Sequence, residues 1–215
     1  MRTFGLRLQL TAAAAIAIAA LSAPEGAQAQ TINFSGQACT GLQTYISSPF
    51  EVQGFRFTNN QYPALSTAFG VTCSGGEFDA GATGLFDEYD GSTVTMTSIA
   101  GTPFSINSIS LAPLYRNAGE AQNIVFTGML NAGGTVTQTF TVPGSSGADT
   151  FADYTFSSAF TDLNSLEFSA PGVPYYQFTN VAIAAPVTTT PEPSSIALLG
   201  TGLLGLVPMV RRRRV

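Results

Sequence analysis

The chain has no histidine, no lysine and no tryptophan, and only two cysteines among its 215 residues. Each absence removes a class of chemistry. Without an imidazole there is no side-chain base that ordinarily titrates near pH 7, so Ser-His-Asp and Cys-His nucleophilic sites are excluded. A lysine-activated serine is excluded on the same footing. Zinc would need Cys or His ligands that are missing or, for the two cysteines, already committed to each other. Positive charge is also scarce. Between Gln30 and Thr190 only Arg56 and Arg116 are basic, against eleven carboxylates, a net of −9. Such a surface repels nucleic acid and anionic lipid, so no nucleic-acid partner is expected.

What is present begins with an export pattern. Arg2 and Arg7 precede an Ala-rich apolar stretch from Leu8 to Leu21, and Ala27-Gln28-Ala29 follows as a small-x-small cleavage site. Residues 1–29 therefore read as a signal peptide, removed by signal peptidase to leave Gln30 as the first mature residue. In an oxidising compartment Cys39 and Cys73 are expected to form a disulfide. Closing a loop of that length stabilises a fold by about 3–4 kcal/mol in the chain-entropy account.

From residue 30 to 183 the pattern is all-β. Short runs rich in Thr, Val, Phe, Ile and Tyr alternate with small polar residues, and no long segment has a helical stripe. Strands are expected near Ile32–Phe34, Leu42–Ile46 and Val52–Thr58, the last with Phe55 and Phe57 on one face. After the turn Asp90-Gly91, Ser92–Ser98 points Val94 and Met96 inward. Phe104 and Ile106, then Ile109 and Leu111, change phase, which predicts a bulge near Asn107-Ser108. Gln122–Leu130 and Thr135–Val142 flank Asn131-Ala132-Gly133-Gly134 as a hairpin. Phe151–Phe156, Leu163–Phe168 and Tyr175–Ile183 add three strands. The expectation is a single antiparallel β-sandwich, flanked by the signal peptide and a C-terminal transmembrane helix.

Residues 184–190, Ala-Ala-Pro-Val-Thr-Thr-Thr, read as an extended linker. The segment 191–215 has three parts: Pro191-Glu192-Pro193, a mostly apolar run at 195–210, and the basic tail Arg211, Arg212, Arg213 and Arg214. Sixteen helical residues span about 24 Å, and the flanking polar and arginine side chains make up the distance to an apolar bilayer core of about 30 Å. Four arginines hold that end cytoplasmic, with the domain outside. An ordinary single-pass anchor accounts for the run and the arginines but not for the Pro-Glu-Pro triplet. The arrangement closely resembles the PEP-CTERM sorting signal of Gram-negative bacteria, with Pro208 a mild departure inside the run. The resemblance implies processing by exosortase, transient anchoring in the inner membrane, and delivery to the cell envelope or the exopolysaccharide matrix.

The stretch from Thr93 to Ile183 resembles the jelly-roll ectodomains found ahead of such tails. The resemblance is carried by Phe104–Ala112, by the hairpin Val125–Gly128 with Gly134–Phe140, by Leu163–Phe168 and by Tyr176–Val181. It implies a form similar to carbohydrate-binding modules. Related jelly rolls place a calcium-ligating Asp before the Asn of the last strand; here that position is Thr179.

Candidate sites follow from residue chemistry. Glu77 with Asp79, and Asp87 and Glu88 with Asp90, are closely spaced oxygen ligands in Gly-rich surroundings, suited to structural calcium although not in an EF-hand pattern. Solvated acidic loops are the favoured explanation of both groups, and no other cofactor is indicated. Tyr62, Tyr89, Tyr115, Tyr175 and Tyr176, with Arg116, are candidate glycan contacts, since Tyr both stacks and hydrogen-bonds. The leading expectation is an exported, non-enzymatic sandwich with a structural or interaction role. The alternative is a carbohydrate-binding module for extracellular polysaccharide, and a carboxylate-dependent glycan-active enzyme ranks third.

Overall fold

The computed structural model describes residues 29–184, apart from 38, 40, 65, 68, 74–77, 79, 116–118, 145–149 and 171–174. The expected signal peptide, but for Ala29, lies outside the described residues, as do the membrane segment and basic tail; of the expected linker, Ala184 is instead the last residue of a strand and 185–190 lie outside the described residues. Among the described residues no helix is long and apolar enough to cross a membrane. All regular structure there is strand: β1 (Gln30–Ile32), β2 (Gln43–Tyr45), β3 (Phe50–Val52), β4 (Phe55–Asn59), β5 (Phe69–Thr72), β6 (Leu85–Asp87), β7 (Val94–Ser98), β8 (Ser105–Pro113), β9 (Gln122–Leu130), β10 (Thr135–Val142), β11 (Ala152–Thr155), β12 (Leu163–Ser169) and β13 (Tyr176–Ala184).

Two antiparallel sheets face each other. The first runs β11-β8-β13-β6-β5-β2, with β1 added to the C-terminal half of β13; the second runs β10-β9-β12-β7-β4-β3. From β6 onward the pairings are nested: β9 with β10, β8 with β11, β7 with β12, β6 with β13. This is a long hairpin rolled over on itself, so that successive pairs fall in alternate sheets, which is the jelly-roll arrangement. The tip of the hairpin is the Asn131–Gly134 turn, where Gly133 and Gly134 adopt φ of 90° and 87° that L side chains resist. β2 to β5 widen both sheets at one side of this roll.

The sequence explains the packing. Alternation puts Phe55, Phe57, Val94, Met96, Ile124, Phe126, Leu166 and Phe168 inward from the second sheet, to meet Phe69, Val71, Leu85, Leu111, Tyr176 and Phe178 from the first. The rings interlock: Phe126 stacks on Phe168 at 5.3 Å, and Phe168 meets Phe178 edge-on at 4.8 Å. Aromatic pairs of this kind add about 0.5–1.5 kcal/mol beyond burial of their area. The predicted phase change in β8 is present. Asn107 is exposed between buried Ile106 and Ile109, and opposite it the β8–β13 register slips between Thr179 and Ile183.

Candidate functional site

The outward face of the first sheet is covered where loops fold over it. Gly70, Phe86, Gln177 and Ala112 stand in one row across β5, β6, β13 and β8. Phe86 joins Phe78 and Leu114 in a second, smaller apolar cluster, with Tyr115 and Tyr175 packed against it. Gly70 is required there because a Cβ would stand 2.5 Å from the Phe86 ring and 2.6 Å from the Thr44 carbonyl oxygen. Gln177 pins the covering loop. Its amide donates to the Phe78 and Pro113 carbonyls at 2.9 and 3.0 Å, and its Oε1 accepts from the Thr72 hydroxyl at 2.8 Å.

At the edge of this row the chemistry concentrates. Tyr45, opposite Gly70 on β2, lies edge-on to Phe86 at 5.9 Å and donates its hydroxyl to Glu88 Oε2 at 3.3 Å. Tyr115 donates to the other oxygen, Glu88 Oε1, while Gln43 Nε2 donates to the Tyr45 hydroxyl. Tyr175 packs on Tyr115 with ring centroids 5.8 Å apart, and Phe78 on its other side at 5.2 Å. Burial, then the hydrogen bond to Glu88 and its charge, hold the Tyr115 phenol well above its usual pKa. Burial and the Glu88 charge raise Tyr45 as well. Gln43 Oε1 is buried with no partner among the described residues. The cluster therefore offers a carboxylate, two phenols and an amide over aromatic faces. Ring faces, hydroxyls and an amide side by side are groups suited to binding.

Asp87, one residue earlier, points the opposite way, into the space between the sheets. It is 2% exposed and accepts from Asn59 Nδ2 at 3.1 Å and from the Ser92 hydroxyl. Burial raises its pKa to about 6, against the lowering effect of these hydrogen bonds.

These placements sort the residues singled out in the sequence. Tyr115 and Tyr175 come together beside Glu88, and Tyr89 is exposed immediately after it. Tyr62 is half-buried in the turn after β4. Tyr176 requires a correction: it is 1% exposed, its hydroxyl donates to the Phe168 carbonyl, and it belongs to the core, so it presents nothing to a glycan. Asp87 and Glu88 face opposite sides of the sheet, and Asp90 sits in the following turn. Among the described residues no three Asp, Glu, Cys or His groups come together as a metal would need. Glu77, Asp79 and Arg116 lie outside the described residues. Cys39 and Cys73 are bridged, with Cα atoms 5.4 Å apart. Sequence reasoning missed Tyr45, Gln43 and Gln177. For the first two a signal existed, since alternation in Leu42–Ile46 puts Gln43 and Tyr45 on one face.

Residues 189–214 match the family model of the PEP-CTERM protein-sorting motif, spanning Pro191-Glu192-Pro193, the apolar run and the arginines. The chain carries a PEP-CTERM sorting motif. The motif marks a protein that is exported, processed at the membrane by exosortase and left in the envelope or outside the cell. No curated protein matches the chain. Among solved structures, the sorted domain is similar to a family 29 carbohydrate-binding module, with 10% identity, TM-score 0.40, and 77% of this chain and 97% of that one covered. It is similar to the Clostridium thermocellum xylanase 10B fragment, a family 22 module joined to its catalytic module, complexed with xylohexaose (11% identity, TM-score 0.35, 70% and 30% covered). A Podospora anserina mannanase carrying a family 35 module is similar at 13% identity and TM-score 0.25, with 77% and 29% covered. The chain thus spans under a third of the length of these last two. At such identities and TM-scores the likenesses say nothing of ligand or activity.

Proposed function

We propose that this protein is a non-catalytic β-sandwich that exosortase delivers to the cell envelope or exopolysaccharide matrix, where it has a structural or interaction role. The observation that carries the reading is the sorting motif itself, joined to a domain without histidine or lysine. On this reading signal peptidase leaves Gln30 as the N-terminus, and the 195–210 segment holds the protein in the inner membrane until the tail is removed. Intact mass of the protein from its native host tests it. The wild type should lack residues beyond the Pro191–Ser194 region, and deletion of the exosortase should restore them. Full-length protein in both strains would overturn the reading.

A second reading, contact with a neutral extracellular polysaccharide, is favoured by one observation: Tyr45 and Tyr115 both donate to Glu88, and Tyr175 packs on the Tyr115 ring. The vicinal hydroxyls of a sugar can donate to the carboxylate that the two phenols now engage, while the rings stack on its C–H face. The domain's negative charge makes general electrostatic attraction to acidic glycans unfavourable, so binding should depend little on salt. Affinity for so shallow a site is expected near ~1 mM. The processed protein should bind host polysaccharide with and without EDTA, and Tyr45→Ala and Tyr115→Ala should weaken it. Binding that chelator abolishes would point instead to a divalent cation bridging protein and glycan. Binding unchanged in both variants would place the contact elsewhere.

A further inference from the structure

We infer that the Cys39–Cys73 bridge is a latch for the tyrosine cluster: closed, it holds β2, and with it Tyr45 and Gln43, against Glu88; open, it lets β2 leave while the rest of the sandwich stays folded. For its ligand this inference rests on the glycan reading above, but the latch itself stands on the geometry of β2.

β2 is three residues long, lies at the edge of its sheet and pairs only with β5. Among the described strands it alone places no residue in the main apolar core or against it; its Tyr45 ring meets Phe86 on the outward face of the sheet instead. The other short edge strands differ in this respect. β3 packs Phe50 and Val52 on the main core, and β11 packs Tyr154 there. Further ties to the sandwich flank β2 at both ends. Beyond one end, Ile46 packs on the core and its N–H donates to the Phe69 carbonyl at 3.1 Å. At the other, the Cys73 N–H donates to the Leu42 carbonyl at 3.0 Å, and the bridge ties Cys39, itself packed on the core, to the residue that follows β5. A three-residue ladder with no buried apolar residue has little free energy of its own to oppose fraying. The jelly roll of β6 to β13 contains neither cysteine, and nothing in its nested pairing depends on the bridge.

The chemistry that closes the latch is thiol–disulfide exchange. Cys39 and Cys73 together give up two electrons and two protons to an oxidised dithiol or low-molecular-weight disulfide, which is reduced to two thiols as the Cys39–Cys73 bond forms. Such oxidants act after export, so Tyr45 is locked beside Glu88 only once the domain has left the cytoplasm.

Residue-resolved amide hydrogen exchange on the exported protein tests this without any ligand. Three samples suffice: the oxidised protein, the same protein reduced with dithiothreitol, and Cys39→Ser/Cys73→Ser. In the last two, amides of β2 should exchange at least ~10-fold faster, while those of β9, β10 and β12 keep their protection. Unchanged exchange in β2 would overturn the latch. So would loss of protection throughout, because the bridge would then be a staple for the whole fold. If the oxidised protein binds no host polysaccharide, the glycan reading fails, and the exchange result still decides the latch.

Discussion

The two sheets turn very different outer faces to their surroundings. On the second, a row of Thr137, Thr127, Glu167, Thr95 and Thr58 crosses β10, β9, β12, β7 and β4 in continuous register, and Arg56 meets Glu51 at 2.7 Å beside it. These side chains are exposed or half-buried, polar and short. On the first, Gly70, Phe86, Gln177 and Ala112 occupy the corresponding places, all buried. One face meets water, which satisfies any polar group; the other meets loops, so each polar group there needs a specific partner. The same fold position thus tolerates change in one sheet and forbids it in the other.

Substitutions test how deep that contrast goes. Gln177→Leu keeps the volume but takes the side-chain donor away from the Phe78 and Pro113 carbonyls beneath the loop. It should cost about 3–5 kcal/mol, read by urea unfolding. A loss below ~1 kcal/mol would mean that water reaches this face. Asp87, between the sheets, should show up in the pH dependence. Its folded pKa of about 6 lies above the unfolded value of about 3.9. The folded state therefore binds the extra proton, and the stability this confers is complete below about pH 4 and lost as pH rises through about 6. Asp87→Asn should remove that fall and leave the domain about 2 kcal/mol more stable than the parent at pH 7 relative to pH 4. Parallel pH–stability curves for the two proteins would contradict it. Gly70→Ala drives a methyl into the Phe86 ring and the Thr44 carbonyl, and a loss of about 1–3 kcal/mol in the same unfolding measurement is expected. Thr127→Val, in the open row, should change stability by less than ~0.5 kcal/mol. A larger penalty there would show that the second face too is covered in the folded protein.

The same contrast decides how much could be read from the sequence. β7, β9, β10 and β12 belong to the sheet with one wet face, so their apolar residues alternate and Val94, Met96 and the hairpin around Gly133 were legible. The bulge near Asn107 showed as a break in that alternation. β5 and β6 did not show at all. Phe69–Thr72 and Leu85–Asp87 are buried on both faces, and a short run with no polar side carries no period. Tyr176 went astray for a related reason. Beside Tyr175 it looks like a strand-end residue, yet neighbours in a strand face opposite ways, and Tyr176 shares the inward face with Phe178. Glu88 and Tyr115, 27 residues apart, meet only through sheet pairing, which no local pattern announces. The sorting motif, a contiguous run read without any folding, was legible throughout.

β13 also acts as a ruler. Its first residue adjoins the tyrosine cluster, since Tyr176 pairs with Asp87 and Pro113. Its last residues pair with the start of the domain, Ile183 opposite Gln30. Nine residues at about 3.3 Å each separate the two ends by about 30 Å. The chain enters and leaves the sandwich at one pole, and Tyr45, Glu88 and Tyr115 occupy the other. A label joined to Gln30 or Ala184 would therefore sit about 30 Å from the tyrosine cluster.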